Sequence, residues 1–194
     1  RIKLQRGASL ALVVRGPDAA PIVGARVRAL DSRGVPLASF QLAKTDASGE
    51  AVLRGFAPGV YRVVVESAEH ANKLSEVFAV SAEQEASLIL RLEAGVMVTA
   101  RFRGELPPGA VGSAASYSIW TEKGEYVRSG FVRVPALQAK GQQSASIPLG
   151  RLAPGSYVAC IETAQLGVLE QRRKVPARGS CVWTFDATSA TKKR

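Results

Sequence analysis

Two segments of this chain carry the same local pattern. Arg54-Gly55-Phe56-Ala57-Pro58-Gly59-Val60-Tyr61 runs into the alternating stretch Arg62-Val63-Val64-Val65-Glu66, and Gly150-Arg151-Leu152-Ala153-Pro154-Gly155-Ser156-Tyr157 runs into Val158-Ala159-Cys160-Ile161-Glu162. Proline presets the backbone at the first central position of a turn, and glycine accepts the positive φ that follows. Each segment therefore reverses the chain and delivers a tyrosine into a strand. Alternation places Tyr61, Val63 and Val65 on one strand face, with Arg62 and Glu66 on the other. Tyr157, Ala159 and Ile161 share the equivalent face of the second copy. A tyrosine just inside such a strand buries its ring and finds a hydroxyl partner at the rim, so both read as structural.

The flanking pattern repeats too. Leu10 to Val14 opens the first copy and Val96 to Ala100 the second. Ala25 to Leu30 enters the turn Asp31-Ser32-Arg33-Gly34, and Ala115 to Trp120 enters Thr121-Glu122-Lys123-Gly124. In the first copy Val35 to Leu42 continues the hairpin and Ser75 to Val80 adds a strand. Ser87 to Leu92 and Cys181 to Phe185 close the two copies. Short strands between Gly, Pro, Asp and Ser clusters predict an all-β chain of two tandem β-sandwich domains, residues 1–94 and 95–194. The boundary falls at Glu93-Ala94-Gly95, a join short enough to predict a rigid pair of modules. Arg1 to Ala8 is a lead-in, and Ala68 to Leu74 permits a turn of helix without a clear apolar stripe. The second copy differs by a longer loop at Phe102 to Gly109 and a polar stretch at Ala139 to Ser144, natural places for module-specific contacts.

The 194 residues are 46% hydrophobic, ample for two cores, but only 6% aromatic, so the cores are built mostly from Val, Leu, Ile and Ala. No apolar run reaches the ~18 residues that span a bilayer as a helix. The chain starts at Arg1 without a recognisable signal peptide and reads as a piece of a longer or processed protein. The net charge of +10 is uneven: residues 1–95 hold 12 basic and 10 acidic side chains, residues 96–194 hold 14 and 6. Much of that excess sits in Arg172-Arg173-Lys174 and the tail Lys192-Lys193-Arg194. These runs are either solvated surface or a contact for an anionic partner such as acidic polysaccharide, lipid head groups or nucleic acid. Cys160 lies opposite the Tyr157 face, whereas Cys181 aligns with Trp183 and Phe185. That alternation favours free thiols over a cross-strand disulfide.

Val23-Gly24-Ala25-Arg26-Val27, then Thr45-Asp46-Ala47-Ser48-Gly49, then Leu53 with Pro58-Gly59-Val60-Tyr61, resembles the carboxypeptidase regulatory-like domains. These are prealbumin-like (transthyretin-like) β-sandwiches. The resemblance covers roughly residues 8–93. The second copy keeps Pro154-Gly155-Ser156-Tyr157 but lacks the other two elements, and looks like a diverged relative or another immunoglobulin-like sandwich. The resemblance implies non-catalytic modules that stand beside enzymes, transporters or adhesive regions of exported bacterial proteins, as spacers, folding aids or binding surfaces. Some related sandwiches bind carbohydrate.

Catalytic chemistry has little support in the residues. His70 is the sole histidine and lies in a polar connection without an evident orienting partner. Asp46 reads as an Asx-turn former, since its loop lacks the carboxylate density of a calcium site. No phosphate-cradling glycine loop or nucleophile elbow is present, so neither cofactor nor metal is expected. A glycan surface has more substance: alternation turns Trp120 outward, Tyr126 lies across the same hairpin and Arg128 is near. The competing reading packs Trp120 against the sandwich edge or the first module. The residues argue against nucleic acid as a partner, because basic and aromatic residues are not interleaved on one strand face. The sequence thus points to a non-enzymatic tandem segment of a larger exported protein, with a carbohydrate-binding module as the alternative.

Overall fold

A computed structural model describes residues 7–37, 42–82, 85–136 and 146–189. The polar stretch at Ala139 to Ser144, most of the lead-in, part of the Val35 to Leu42 hairpin and the basic tail lie outside the described residues. The chain divides into two compact units between Ala94 and Gly95. It is all-β: the described residues form fifteen strands and a single 3-10 turn, Ala187–Ser189. The stretch from Ala68 to Leu74 is not helical; it bends and then enters a two-residue strand.

The first unit holds β1 (Ala8–Arg15), β2 (Arg26–Asp31), β3 (Leu42–Lys44), β4 (Glu50–Phe56), β5 (Gly59–Glu66), β6 (Lys73–Leu74), β7 (Phe78–Val80) and β8 (Glu85–Arg91). One sheet has the order β4-β1-β8, with β1 antiparallel to β4 and parallel to β8. The other places β2 between β3 and β5, and β5 is flanked on its far side by β6 and β7. Between the sheets lie Leu10, Leu12, Val14, Val27, Ala29, Leu53, Phe56, Val63, Val65 and Leu92. Burying one large side chain of this kind stabilises by about 1.5–3 kcal/mol, so these inward positions carry most of the unit's stability.

The second unit holds β9 (Val96–Arg103), β10 (Ala114–Thr121), β11 (Tyr126–Arg133), β12 (Ile147–Leu152), β13 (Gly155–Thr163), β14 (Gly167–Val175) and β15 (Cys181–Asp186). Its sheets are β12-β9-β15 and β11-β10-β13-β14, again with the first strand parallel to the last. The core gathers Val98, Phe102, Tyr117, Ile119, Leu149, Leu152, Ile161, Trp183 and Phe185. Strand for strand, β9, β10, β11, β12, β13 and β15 occupy the places of β1, β2, β3, β4, β5 and β8. One long strand, β14, stands where β6 and β7 share a place. The two units are two copies of one topology.

The repeated turn explains the shared path. The Tyr61 hydroxyl donates to the Ala57 carbonyl at 2.9 Å, and the Tyr157 hydroxyl to the Ala153 carbonyl at 2.8 Å. The glycine of the first Pro-Gly pair works differently from the sequence expectation, whereas Gly155 of the second has the expected positive φ, 157°. Gly59 does not adopt a positive φ. A Cβ there would lie 3.2–3.4 Å from the ring and hydroxyl of Tyr61, so glycine leaves room for the tyrosine two residues on, which shares its strand face. Both segments also carry a positive φ earlier, at Gly55 (85°) and Gly150 (110°). Phe56 meets Tyr61 edge-on at 5.0 Å between ring centroids, and Tyr157 lies 6.4 Å from Trp183, which anchors both corners in their cores.

Candidate interaction surfaces

The polar motif of the first unit is engaged in holding a loop. Buried Thr45 accepts a hydrogen bond from the Ala25 amide at 2.9 Å through Oγ1, which donates onward to the Ile22 carbonyl at 2.6 Å. Its backbone exchanges bonds with Gly24 and Ala25, so one residue ties down the turn from Ile22 to Ala25. Asp46 accepts from the amides of Ser48 and Glu50, each at 2.9 Å, and from the Ser48 hydroxyl. These bonds, the Ser48 hydroxyl foremost, hold its carboxyl below the usual aspartate range. Asp46 therefore closes its own turn, the Asx role read from the sequence.

His70 is half-buried and borders a cleft of about 310 Å³ lined by Ile22, Val23, Ser67 and Glu69, among others. Ser67 Oγ lies 3.3 Å from His70 Nδ1. The His70 backbone bridges Ala94, and the neighbouring Ala71 amide donates to the Glu93 carbonyl. A serine activated by histidine needs a third group that orients the ring. The nearby carboxylate of Asp18 instead accepts from the Ala20 amide at 3.2 Å and closes a local turn. Among the described residues no cluster of three or more His, Cys, Asp or Glu side chains is arranged to hold a metal ion.

In the second unit the three proposed glycan residues do not share one exposed surface. Trp120 is half-buried, on the sheet face opposite the core-facing Tyr117 and Ile119. Tyr126 is its partner across the hairpin, at a bulge between Ile119 and Trp120. Tyr126 is buried, at 7% exposure, and its hydroxyl shares a hydrogen bond with Ser129. Its ring offers no open face for a sugar. Arg128 pairs with Ile119 and turns inward: its Nε donates to the Tyr117 hydroxyl at 3.1 Å, and that hydroxyl donates to the Leu149 carbonyl of the opposite sheet at 3.3 Å. A Cβ at Gly150 would stand 2.5 Å from the Arg128 guanidinium. The arginine is a tie between sheets, seated over a glycine.

The run from Arg172 to Lys174 is likewise split by alternation. Arg172 and Lys174 are exposed, while Arg173 is half-buried. Arg173 reaches β15, donating to the Thr184 carbonyl at 2.8 Å, and also binds the Gln171 side chain. It spans the two sheets, so it is not an outward anionic contact. A second tie across the same gap is the weak bond from Cys181 Sγ to the Lys174 carbonyl at 3.5 Å, and burial pushes the Cys181 thiol up. Neither cysteine is in a disulfide; Cys181 lies within the core and Cys160 is half-buried on the outer face.

The registers bring three of the sequence candidates into one row. Tyr126 pairs with Trp120, Trp120 with Val158 and Val158 with Arg172, one row crossing all four strands of the outer face. Lys174 sits one place along, opposite Ser156. Sequence reasoning missed Phe131, which is 83% exposed and pairs with Ser116 on the same face. Ile89 of the first unit, 72% exposed on β8, was also not singled out. Its position in strict alternation between partly buried Leu88 and buried Leu90 was the available signal.

A family model described as the carboxypeptidase regulatory-like domain matches residues 9–93. No curated protein matches the chain. Among solved structures it is similar to the Bacillus anthracis TIE protein, at 18% identity and a TM-score of 0.38, over 93% of this chain and 33% of that one. It is also similar to the Streptococcal ancillary pilin, at 14% identity and a TM-score of 0.37, over 93% of this chain and 62% of that one. A variant of the shaft pilin SpaA from Lactobacillus rhamnosus GG aligns at 11% identity and a TM-score of 0.37, over 93% and 98%. The chain thus spans a third of the length of the TIE chain and less than two thirds of the ancillary pilin.

Proposed function

We propose, from the match of residues 9–93 to the carboxypeptidase regulatory-like domain model, that this chain is a non-catalytic structural and interaction segment of a larger exported or cell-surface bacterial protein. One observation carries the reading. The polar side chains best suited to chemistry are engaged in holding the fold: Thr45 and Asp46 close loops, while Arg128 and Arg173 tie sheet to sheet. Two preformed sandwiches of the same topology then serve as spacers, and their outer faces and loops meet neighbouring domains of the parent protein or another protein.

The row Trp120, Val158 and Arg172 supports a second reading, in which the outer face of the second unit binds an acidic polysaccharide. A ring beside cationic groups suits a sugar carrying carboxylates or sulfates. Tryptophan fluorescence of the complete chain, titrated with neutral and acidic polysaccharides, separates the two. The structural reading expects no saturable change across the panel. A saturable shift with acidic chains that disappears in Trp120→Ala and weakens in Arg172→Ala overturns it in favour of glycan binding.

A further inference from the structure

We propose that the parallel pairing of first and last strands in each unit is a force-bearing clamp that lets the chain resist tension applied at its ends. In the first unit β1 and β8 pair in parallel from Ser9 opposite Glu85 to Arg15 opposite Arg91. In the second, β9 and β15 pair in parallel from Val98 opposite Cys181 to Arg103 opposite Asp186. Tension enters the first unit at Ala8 and leaves at Arg91. Because the strands run in the same direction, those points lie at opposite ends of the pair. Pulling slides one strand along the other and loads the whole ladder at once. Had the last strand been antiparallel to the first, both points would lie at one end and the bonds would open one at a time.

The backbone shows which groups carry the load. The Val14 amide donates to the Gly49 carbonyl at 2.8 Å, and the Val14 carbonyl accepts from Ile22, so Val14 turns its polar groups to the β4 side. Alternation turns those of Ala11, Val13 and Arg15 to β8. The Arg15 carbonyl accepts from the Leu92 amide at 2.8 Å, which carries the ladder one residue beyond β8. Side chains lock the register. Leu90 and Leu92 are buried and Ile89 is exposed, so a slip of one residue would move the apolar set out of the core. Hydrogen bonds and packing must therefore fail together.

The second unit reinforces the point where tension leaves it. Arg103 and Asp186 form the last pair of the ladder and an ion pair at 3.0 Å. Phe102 and Phe185, the pair before, are fully buried with ring centroids 6.4 Å apart. By contrast, Glu93 and Ala94 are held outside the clamp by a few local ties, the Ala71 amide to the Glu93 carbonyl, an exposed Lys73–Glu93 ion pair at 3.8 Å and the bridge from His70. These are the contacts that peel first.

The inference rests on the structural reading for its purpose, while the clamp is a property of each unit by itself. The test is to stretch the complete 194-residue chain in optical tweezers with handles at its two ends. A second attachment geometry uses the N-terminus and exposed Ala82, just ahead of β8, so that β1 and β8 are pulled from the same end. Equilibrium stability is common to both geometries, and only the unfolding rate under force depends on direction. The clamp predicts two rupture events in the end-to-end geometry, both at several times the force found in the Ala82 geometry at equal loading rate. Val13→Pro, which removes a clamp amide and leaves the core side chains in place, lowers one of the two end-to-end forces and leaves the other unchanged. Equal forces in the two directions overturn the clamp, whether or not the proline variant folds. That outcome leaves the spacer reading intact, since the spacer reading fails on saturable polysaccharide binding instead.

Discussion

The hydroxyl of Tyr61 donates to the carbonyl of Ala57 at 2.9 Å, across the turn that delivers the tyrosine into β5. Tyr157 repeats the bond to Ala153 at 2.8 Å. Both join a strand to the turn ahead of it with the ring packed on an aromatic neighbour. Tyr61→Phe and Tyr157→Phe each keep the ring and lose the donor, and each is expected to cost about 1 kcal/mol. Urea unfolding checks this: each variant lowers the midpoint of its own unit and leaves the other transition in place. A change confined to one of the two variants would show that the corners are not equivalent.

Gly150 and Arg128 are coupled through space. Gly150 has φ of 110°, and a Cβ there would meet the guanidinium at 2.5 Å. Gly150→Ala is therefore expected to destabilise by about 1–3 kcal/mol through strain and displacement of the arginine. In the background of Arg128→Ala the steric share disappears, so the double variant loses less than the sum of the singles. A double-mutant cycle by chemical denaturation measures the difference, and strict additivity would contradict the contact.

Three aspartates set the acid limit. Asp31 is lowered chiefly by the Val35 amide, Asp46 by the Ser48 hydroxyl and Asp186 by the Thr188 hydroxyl. A depressed folded pKa contributes stability that is present above the unfolded value, about 4, and is lost as pH falls through the folded value. The unfolding midpoint is expected to hold level from about pH 7 to 5 and to drop below about 4. Asp46→Asn reduces that slope for the first unit. A midpoint that rises as the pH falls below 4 would contradict the assignment.

The two thiols differ in access. Cys160 is half-buried on an outer face, and Cys181 lies in the core with its thiol pushed up by burial. Reactivity follows thiolate fraction and exposure. A thiol reagent is expected to modify Cys160 in the native protein and Cys181 only after the second unit opens. Mass spectrometry of the native reaction reads this directly, and early modification of Cys181 would contradict its placement.

The sequence signalled what is local and hid what depends on neighbours. The paired turns were legible because proline and glycine act on their own backbone, though the space left by Gly59 for Tyr61 is a contact that turn chemistry does not describe. Alternation gave the inward strand faces, including Trp183 and Phe185, and set Trp120 on the outer face. Tyr126 lies across the hairpin from Trp120 as the sequence placed it, but its burial and the inward turn of Arg128 depend on neighbours and on the bulge between Ile119 and Trp120. Counting charge along the chain does not show that strand alternation leaves Arg172 and Lys174 exposed and turns Arg173 inward. The row from Trp120 to Arg172 joins three strands, β10, β13 and β14, whose residues are far apart in sequence.

The central claim is that the chain is two copies of one sandwich topology, each able to fold by itself. Residues 1–94 and 95–194 expressed separately test it directly by thermal unfolding and amide NMR dispersion. The account predicts that each half gives a dispersed spectrum and a cooperative transition, lowered by its own corner substitution, Tyr61→Phe or Tyr157→Phe. A half that remains unfolded alone, or folds only on adding the other, would contradict it.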